Sequence, residues 1–222
     1  MIPLRDTQPS FSKPLVTGLL IAINILIFLY EFSLDPFSLN HFIMEYGVVP
    51  SRFQYLDLIS SMFLHGGWFH LLGNMWFLWI YGDNVEDVLG HHKYLLFYIL
   101  CGVAAGMVQV LTNPGSRIPT VGASGAIAGV MGAYLIKFPR SKIVTLVPIF
   151  IFVTTMEIPA VFMLLYWFVL QIFSGFGSAG TSNVSQGGVA WFAHIGGFLA
   201  GMLLIKIMGA QDRYRNRPEY HW

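Results

Sequence analysis

Residues 113–137 read NPGSRIPTVGASGAIAGVMGAYLIK, and their character changes in the middle. The part up to Ala123 holds two prolines and two glycines, which oppose a helix. From Ser124 the chain runs without a charge to Lys137. A helix is therefore expected to begin near Ser124 and to end at Lys137.

The whole chain decides where that helix begins. Of 222 residues 55% are apolar and 10% charged, and the mean hydropathy is +0.64. A soluble domain averages about 25% charged residues. Such a composition excludes disorder and an ordinary cytosolic protein, and points to a polytopic membrane protein. The net charge of +1 gives no basis for nucleic-acid binding. Cys101 is the single cysteine, so no internal disulfide can form.

Charge-free stretches give the spans. They fall near residues 14–30, 66–82, 94–112 and 122–136. Residues 158–205 are also free of charge, too long for one crossing at about 20 residues each. This run breaks at the Gly-rich SGFGSAGTSNVSQGG of residues 174–188, leaving spans at 158–173 and 189–205. Residues 143–156 are apolar but short and contain Pro148, so they read as interfacial or partly re-entrant rather than as a seventh span. The expected fold class is an all-α membrane protein: one polytopic domain over residues 1–222, with six transmembrane helices and a re-entrant loop before the fourth.

Six spans put both termini on one side. Ten Lys and Arg residues then lie on that side, against Arg52 and Arg117 on the other. The positive-inside rule makes the richer side cytoplasmic. The loop 31–65 and the Gly-rich loop 174–188 face outward, and a basic tail, 206–222, faces the cytoplasm. With no transit peptide or long soluble extension in view, a bacterial-type plasma membrane is the expected location.

Polar groups at membrane depth default to functional candidates. His70 precedes Asp83 by 13 residues, Ser124 precedes Lys137 by 13, and His194 precedes Lys206 by 12. At 1.5 Å rise per residue all three sit roughly 18–20 Å above the cytoplasmic edge. In a hydrocarbon layer about 30 Å thick this is one shared level near the outer surface. Asn74 lies one turn below His70. Small-residue stripes, Ser124–Ala128–Gly132 and His194–Gly197–Gly201, would let two helices approach closely. His194 then suits a general base for the Ser124 hydroxyl, and the free N–H groups of a helix beginning at Ser124 suit an oxyanion. Asn74 and His70 would add side-chain donors. No Asp or Glu lies at this depth, so a dyad is expected rather than a triad. The glycine-rich loop 174–188 would form a mobile lid.

Taken in order, HLLGN (70–74), GASG (122–125) and AHIGGFLAG (193–201) resemble the rhomboid family of intramembrane serine proteases. YGDNVEDVLG (81–90) and FPRSKIVTLVPIF (138–150) are similar too. The resemblance implies Ser124 as nucleophile, His194 as base, His70 and Asn74 as oxyanion donors, and a structural Glu86. It also implies a six-helix core and an extracytoplasmic active site. Its substrates would be transmembrane helices, cut where small or helix-breaking residues let them unwind. Gly122, Gly125, Gly197 and Gly201 would pack the helices at the site. Two features depart from some members: Ala128 stands where a tyrosine would face the histidine, and Ser51 precedes Arg52 where a tryptophan would.

The expected partners are transmembrane protein substrates and the lipid bilayer, with no cofactor, no metal and no nucleic acid. The alternative is a catalytically inactive rhomboid-like protein that binds membrane clients; retention of both Ser124 and His194 argues against it. A transporter would need intramembrane charges that the spans lack. His65, His91 and His92 read as interfacial or loop residues, and Trp76, Trp79, Trp167 and Trp191 as lipid-facing or interfacial anchors.

Overall fold

A computed structural model describes residues 2–149, 152–179 and 190–210. In chain order these residues form β1 (Ile2–Asp6), α1 (Leu15–Ser33), α2 (Pro36–Tyr46), α3 (Asp57–Ser60), α4 (Trp68–Leu89) and α5 (His91–Thr112). They continue with α6 (Ser124–Lys137), β2 (Lys142–Ile149), β3 (Phe152–Pro159), α7 (Ala160–Ala179) and α8 (Trp191–Ile207). By length and hydropathy α1 and α5 are long and apolar enough to cross a membrane. Helices α6 and α8, and residues Ala160–Gly175 of α7, are apolar but shorter.

The core is built where α6 meets α8 and α5, and glycine is the reason. A Cβ added at Gly201 would collide with the Gly129 carbonyl, one at Gly197 with the Gly125 carbonyl, and one at Gly132 with the Phe198 carbonyl. Backbone thus lies on backbone, as small residues permit between apolar helices. The stripe on α8 is the expected one. On α6 the backbone contacts fall at Gly125, Gly129 and Gly132, of which Gly132 belongs to the expected stripe.

Helix α4 runs seven residues past the expected end at 82, through Glu86 and Asp87, both fully buried. Helix α1 has Pro14 at its N-cap and no side-chain cap of its own. Glu86 supplies one: its carboxylate accepts from Val16 N, Thr17 N and Thr17 Oγ1, each at 2.8 Å. Asp87 accepts from the backbone and hydroxyl of Ser12 at 2.9 and 2.6 Å. A carboxylate at a helix N-terminus satisfies orphan N–H groups and meets the positive dipole end. The structural role expected of Glu86 is therefore a physical tie between the first turn of α1 and the end of α4.

The expectation of an all-α chain is corrected. Residues 142–149 and 152–159 are strands, not helix. They pair antiparallel as β2 and β3, in register from Lys142↔Pro159 to Ile149↔Phe152, and β1 adds a third strand to β2. The residues are rich in Val, Ile and Thr, which favour strands. Ile143 and Thr145 are buried while Lys142 is exposed and Val144 intermediate, the period of two that a strand imposes. Length and hydropathy alone could not separate this from a short apolar helix.

The segment 31–65 is not an open loop. It holds α2, α3 and two short 3₁₀ turns, Pro50–Arg52 and Ser61–Phe63. It also binds the irregular run before α6. Val48 and Thr120 exchange backbone hydrogen bonds at 3.0 and 2.8 Å, Ser51 N donates to Ser116 O at 2.9 Å, and Gly122 N donates to Ser61 O at 2.8 Å. Non-helical backbone near the core is thereby satisfied by protein, the condition under which it is tolerated. Of the expected lid, residues 174–179 continue α7 instead, and residues 180–188 lie outside the described residues. Residues 211–222 of the basic tail lie outside them as well.

Candidate active site

Ser124 is the first residue of α6, as the sequence predicts. Its N-cap is Ala123, which brings no side-chain acceptor to the first-turn N–H groups. The Ser124 hydroxyl points at α8, where His194 Nε2 lies 2.8 Å from Oγ. His194 is 8% exposed and sits near two indoles: Trp167 of α7 at 5.8 Å between ring centroids and 36°, and Trp191 at 6.3 Å and 90°. The reading of Trp167 and Trp191 as lipid anchors is therefore corrected. Ala128, where some family members would place an aromatic ring, is fully buried, and indoles flank the imidazole from other positions. Trp76 and Trp79 are 46% and 60% exposed, which suits a lipid-facing role.

His70 and Asn74 of α4 reach the same place from the other side. The convergence is visible at Gly122, whose φ of +121° is a left-handed conformation that favours glycine. A Cβ there would lie 2.6 Å from His70 Nε2 and 3.6 Å from Asn74 Nδ2. Gly122 is thus a backbone hinge beneath two side-chain donors, whereas Gly125, Gly197 and Gly201 are the helix-packing residues expected. His70 Nδ1 accepts from Gly66 N at 3.3 Å, which leaves Nε2–H to donate.

Two contributors were not anticipated. His65, read as a loop histidine, is 2% exposed. Its Nε2 accepts from Asn74 Nδ2 at 3.0 Å, and its ring meets that of His70 edge-on at 5.1 Å. Burial, with His70 close by, pushes the His65 imidazole down to about 4, so it stays neutral and able to accept. Its backbone N–H is tied to the Glu31 carboxylate. The second is Gln171 on α7, whose Oε1 lies 2.7 Å from His194 Nδ1. The only sequence signal for Gln171 was a lone amide in an otherwise apolar span. His91, by contrast, pairs with Glu86 at 2.6 Å, at the end of α4 away from His70.

Ser124, His194, His70, Asn74 and Trp167 line one cavity of about 670 Å³. A second hollow of about 400 Å³ shares Phe77, Met131 and Trp167 with it and runs between α4 and α7 towards the exposed Phe162 and Tyr166. A hydroxyl hydrogen-bonded to an imidazole, beside free helix N–H groups and side-chain donors, can carry out acyl transfer.

A family model described as the Rhomboid domain matches residues 52–211, which include Ser124, His194, His70 and Asn74 as well as His65 and Gln171. The chain belongs to the rhomboid family. Among relatives of this rhomboid chain is the Rhomboid protease GluP of Bacillus subtilis (strain 168), 30% identical over 202 residues, which are 89% of this chain and 35% of GluP. RHOMBOID-like protein 5 of Arabidopsis thaliana is 33% identical over 165 residues, 73% of this chain and 47% of that protein. RHOMBOID-like protein 6, mitochondrial, of the same plant is 28% identical over 212 residues, 86% and 62%. The chain thus spans between about a third and three-fifths of the length of these relatives.

Proposed function

We propose that this rhomboid chain is an intramembrane serine endopeptidase that cuts transmembrane helices near their extracytoplasmic ends. The observation that carries the reading is the 2.8 Å contact between Ser124 Oγ and His194 Nε2. Ser124 Oγ attacks the scissile carbonyl carbon while its proton passes to His194 Nε2. The oxyanion is held by the Ser124 N–H, His70 Nε2–H and the Asn74 amide. As the tetrahedral intermediate collapses, His194 returns the proton to the leaving amine and the acyl group stays on Ser124. Water, deprotonated by His194, then releases it.

In this reading α1 and α4 to α8 are six spans of a single domain over residues 1–222, and residues 113–123 form a re-entrant segment. Both termini are cytoplasmic, and the membrane is a bacterial-type plasma membrane. The ten-to-two split of Lys and Arg supports the orientation. The hollow between α4 and α7 suits lateral entry of a substrate helix from lipid. No cofactor takes part.

The test is cleavage of a single-span substrate in liposomes by wild type, Ser124→Ala and His194→Ala, with fluorophosphonate labelling of Ser124 in parallel. Cleavage and labelling by wild type alone support the proposal. Wild-type cleavage by Ser124→Ala, or no activity and no labelling in wild type, overturns it.

A further inference from the structure

The base at this site is held by a third side chain. Gln171 sits on α7 and is 5% exposed. Its Nε2 donates to the Trp167 carbonyl, one turn back on the same helix, at 3.3 Å. Its Oε1 lies 2.7 Å from His194 Nδ1. The orientation of the amide follows from its partners. With the amide reversed, oxygen would face the Trp167 carbonyl oxygen, two acceptors with no proton between them. Oε1 therefore faces the imidazole, and an amide oxygen can only accept. His194 Nδ1 must carry the proton, which leaves Nε2 bare and facing the Ser124 hydroxyl at 2.8 Å. A general base at Nε2 requires this tautomer.

We infer that Gln171 is a positioning residue that fixes the tautomer and ring orientation of His194, making a Ser124–His194–Gln171 relay in place of a bare dyad. The inference rests on the proposed serine mechanism. Gln171 exchanges no proton: it accepts from Nδ1–H before, during and after the imidazole takes the Ser124 proton at Nε2. Its dipole favours the imidazolium without a permanent charge. That choice fits the setting, because an ionised acid in a span is expensive, whereas a neutral amide costs much less and here has both of its ends paired. The Trp167 and Trp191 rings fix the plane of the imidazole, and Gln171 fixes which nitrogen bears the proton.

The experiment uses the full chain in lipid, with ¹⁵N-labelled histidine and the His194 signals assigned by their loss in His194→Asn. Two variants are compared with wild type. Gln171→Leu has a similar volume and no acceptor, and Gln171→Glu restores an oxygen acceptor. The ¹⁵N shifts report the tautomer, the rate of fluorophosphonate labelling reports Ser124, and thermal melting reports the fold. Wild type is expected to show Nδ1–H with Nε2 bare. Gln171→Leu is expected to populate the Nε2–H form and to label about 10- to 100-fold more slowly, less than the roughly 10⁴-fold loss when the wrong tautomer is enforced. Gln171→Glu recovers the Nδ1–H tautomer and most of the rate.

An unchanged His194 tautomer in Gln171→Leu overturns the inference, whether labelling persists or falls with the fold. A wild type that never labels, but whose tautomer moves in Gln171→Leu, overturns the protease reading and leaves the positioning of His194 by Gln171 standing.

Discussion

Gly201 of α8 lies so close to the carbonyl of Gly129 on α6 that no Cβ fits between them. This contact is five residues past Ser124 on one helix and seven past His194 on the other, and it sets how near those side chains can come. Replacing Gly201 with alanine forces the helices apart or strains them, at a cost of about 1–3 kcal/mol typical of overpacking. Valine is expected to be worse. The expected result is a lower melting temperature in detergent for Gly201→Ala, with a fall in fluorophosphonate labelling that survives at temperatures where the variant stays folded. A melting temperature unchanged from wild type would mean that the backbone contact does not hold the site together.

Glu86 makes a contrasting prediction. It is fully buried, caps α1 and meets His91. It belongs to the end of α4 beyond the Ser124 cavity. Glu86→Ala strips the acceptor from the buried Thr17 N–H and hydroxyl and from the part-buried Val16 N–H, and hydrogen bonds to charged groups are worth about 1.5–3 kcal/mol. The variant should melt many degrees lower, while the fraction that remains folded labels at the wild-type rate. Titrating folded protein against a fluorophosphonate separates the two effects. A specific loss of rate in folded Glu86→Ala would assign Glu86 to the chemistry.

Asp6 predicts a pH dependence of opposite sign to the usual acid. Burial lifts its carboxyl from 3.8 to about 6, although the Tyr134 hydroxyl donates to it at 2.6 Å. Its folded pKa is thus above its unfolded one, so the folded state binds the proton more tightly. Its contribution to stability is full below about pH 4 and is lost as pH rises through about 6. Asp6→Asn removes that dependence. The difference in unfolding midpoint between wild type and Asp6→Asn should move against wild type from pH 4 to 6 and stay flat above. A difference independent of pH would show that Asp6 is not held protonated in the fold.

Charge-free runs located α1 and α4 to α8 but not α2 or α3, because a span must exclude charge over a whole crossing. They missed what burial against protein permits. The buried carboxylates of α4 carry it past the apolar run, and a Val- and Thr-rich hairpin hides in a stretch of similar hydropathy. At the site, common depth along three helices brought Ser124, His194, His70 and Asn74 together, since a helix converts residue count into height. Depth says nothing of azimuth. The contact of Gly125 and Gly129 with the α8 backbone was therefore not legible. Nor was the approach of Gln171, whose pairing depends on the rotation of α7. His65 was missed for a related reason: it lies outside every helix, so no periodicity assigns it a face.

Asn74 and His65 test that last point together. Asn74 has two amide protons, and one is taken by His65 Nε2 at 3.0 Å. The bond fixes the rotamer so that the other proton is free for an oxyanion. Asn74→Ala removes that donor and should cost about 10²–10³ in kcat, the usual worth of one oxyanion donor. His65→Ala keeps the donor but frees its rotamer, and should cost nearer tenfold, with KM little changed because a developing oxyanion exists only in the transition state. The double variant should be no slower than Asn74→Ala alone, since His65 then has nothing to hold. His65 also adds an acid limit. With its pKa pushed down from 6.5 to about 4 it is a neutral acceptor above pH 4, and its contribution to stability is full above about pH 6.5 and is lost as pH falls from there to about 4. Kinetics of the four proteins on one single-span substrate measure the coupling. Additive losses in the double variant would mean that His65 acts on the reaction by a route other than Asn74.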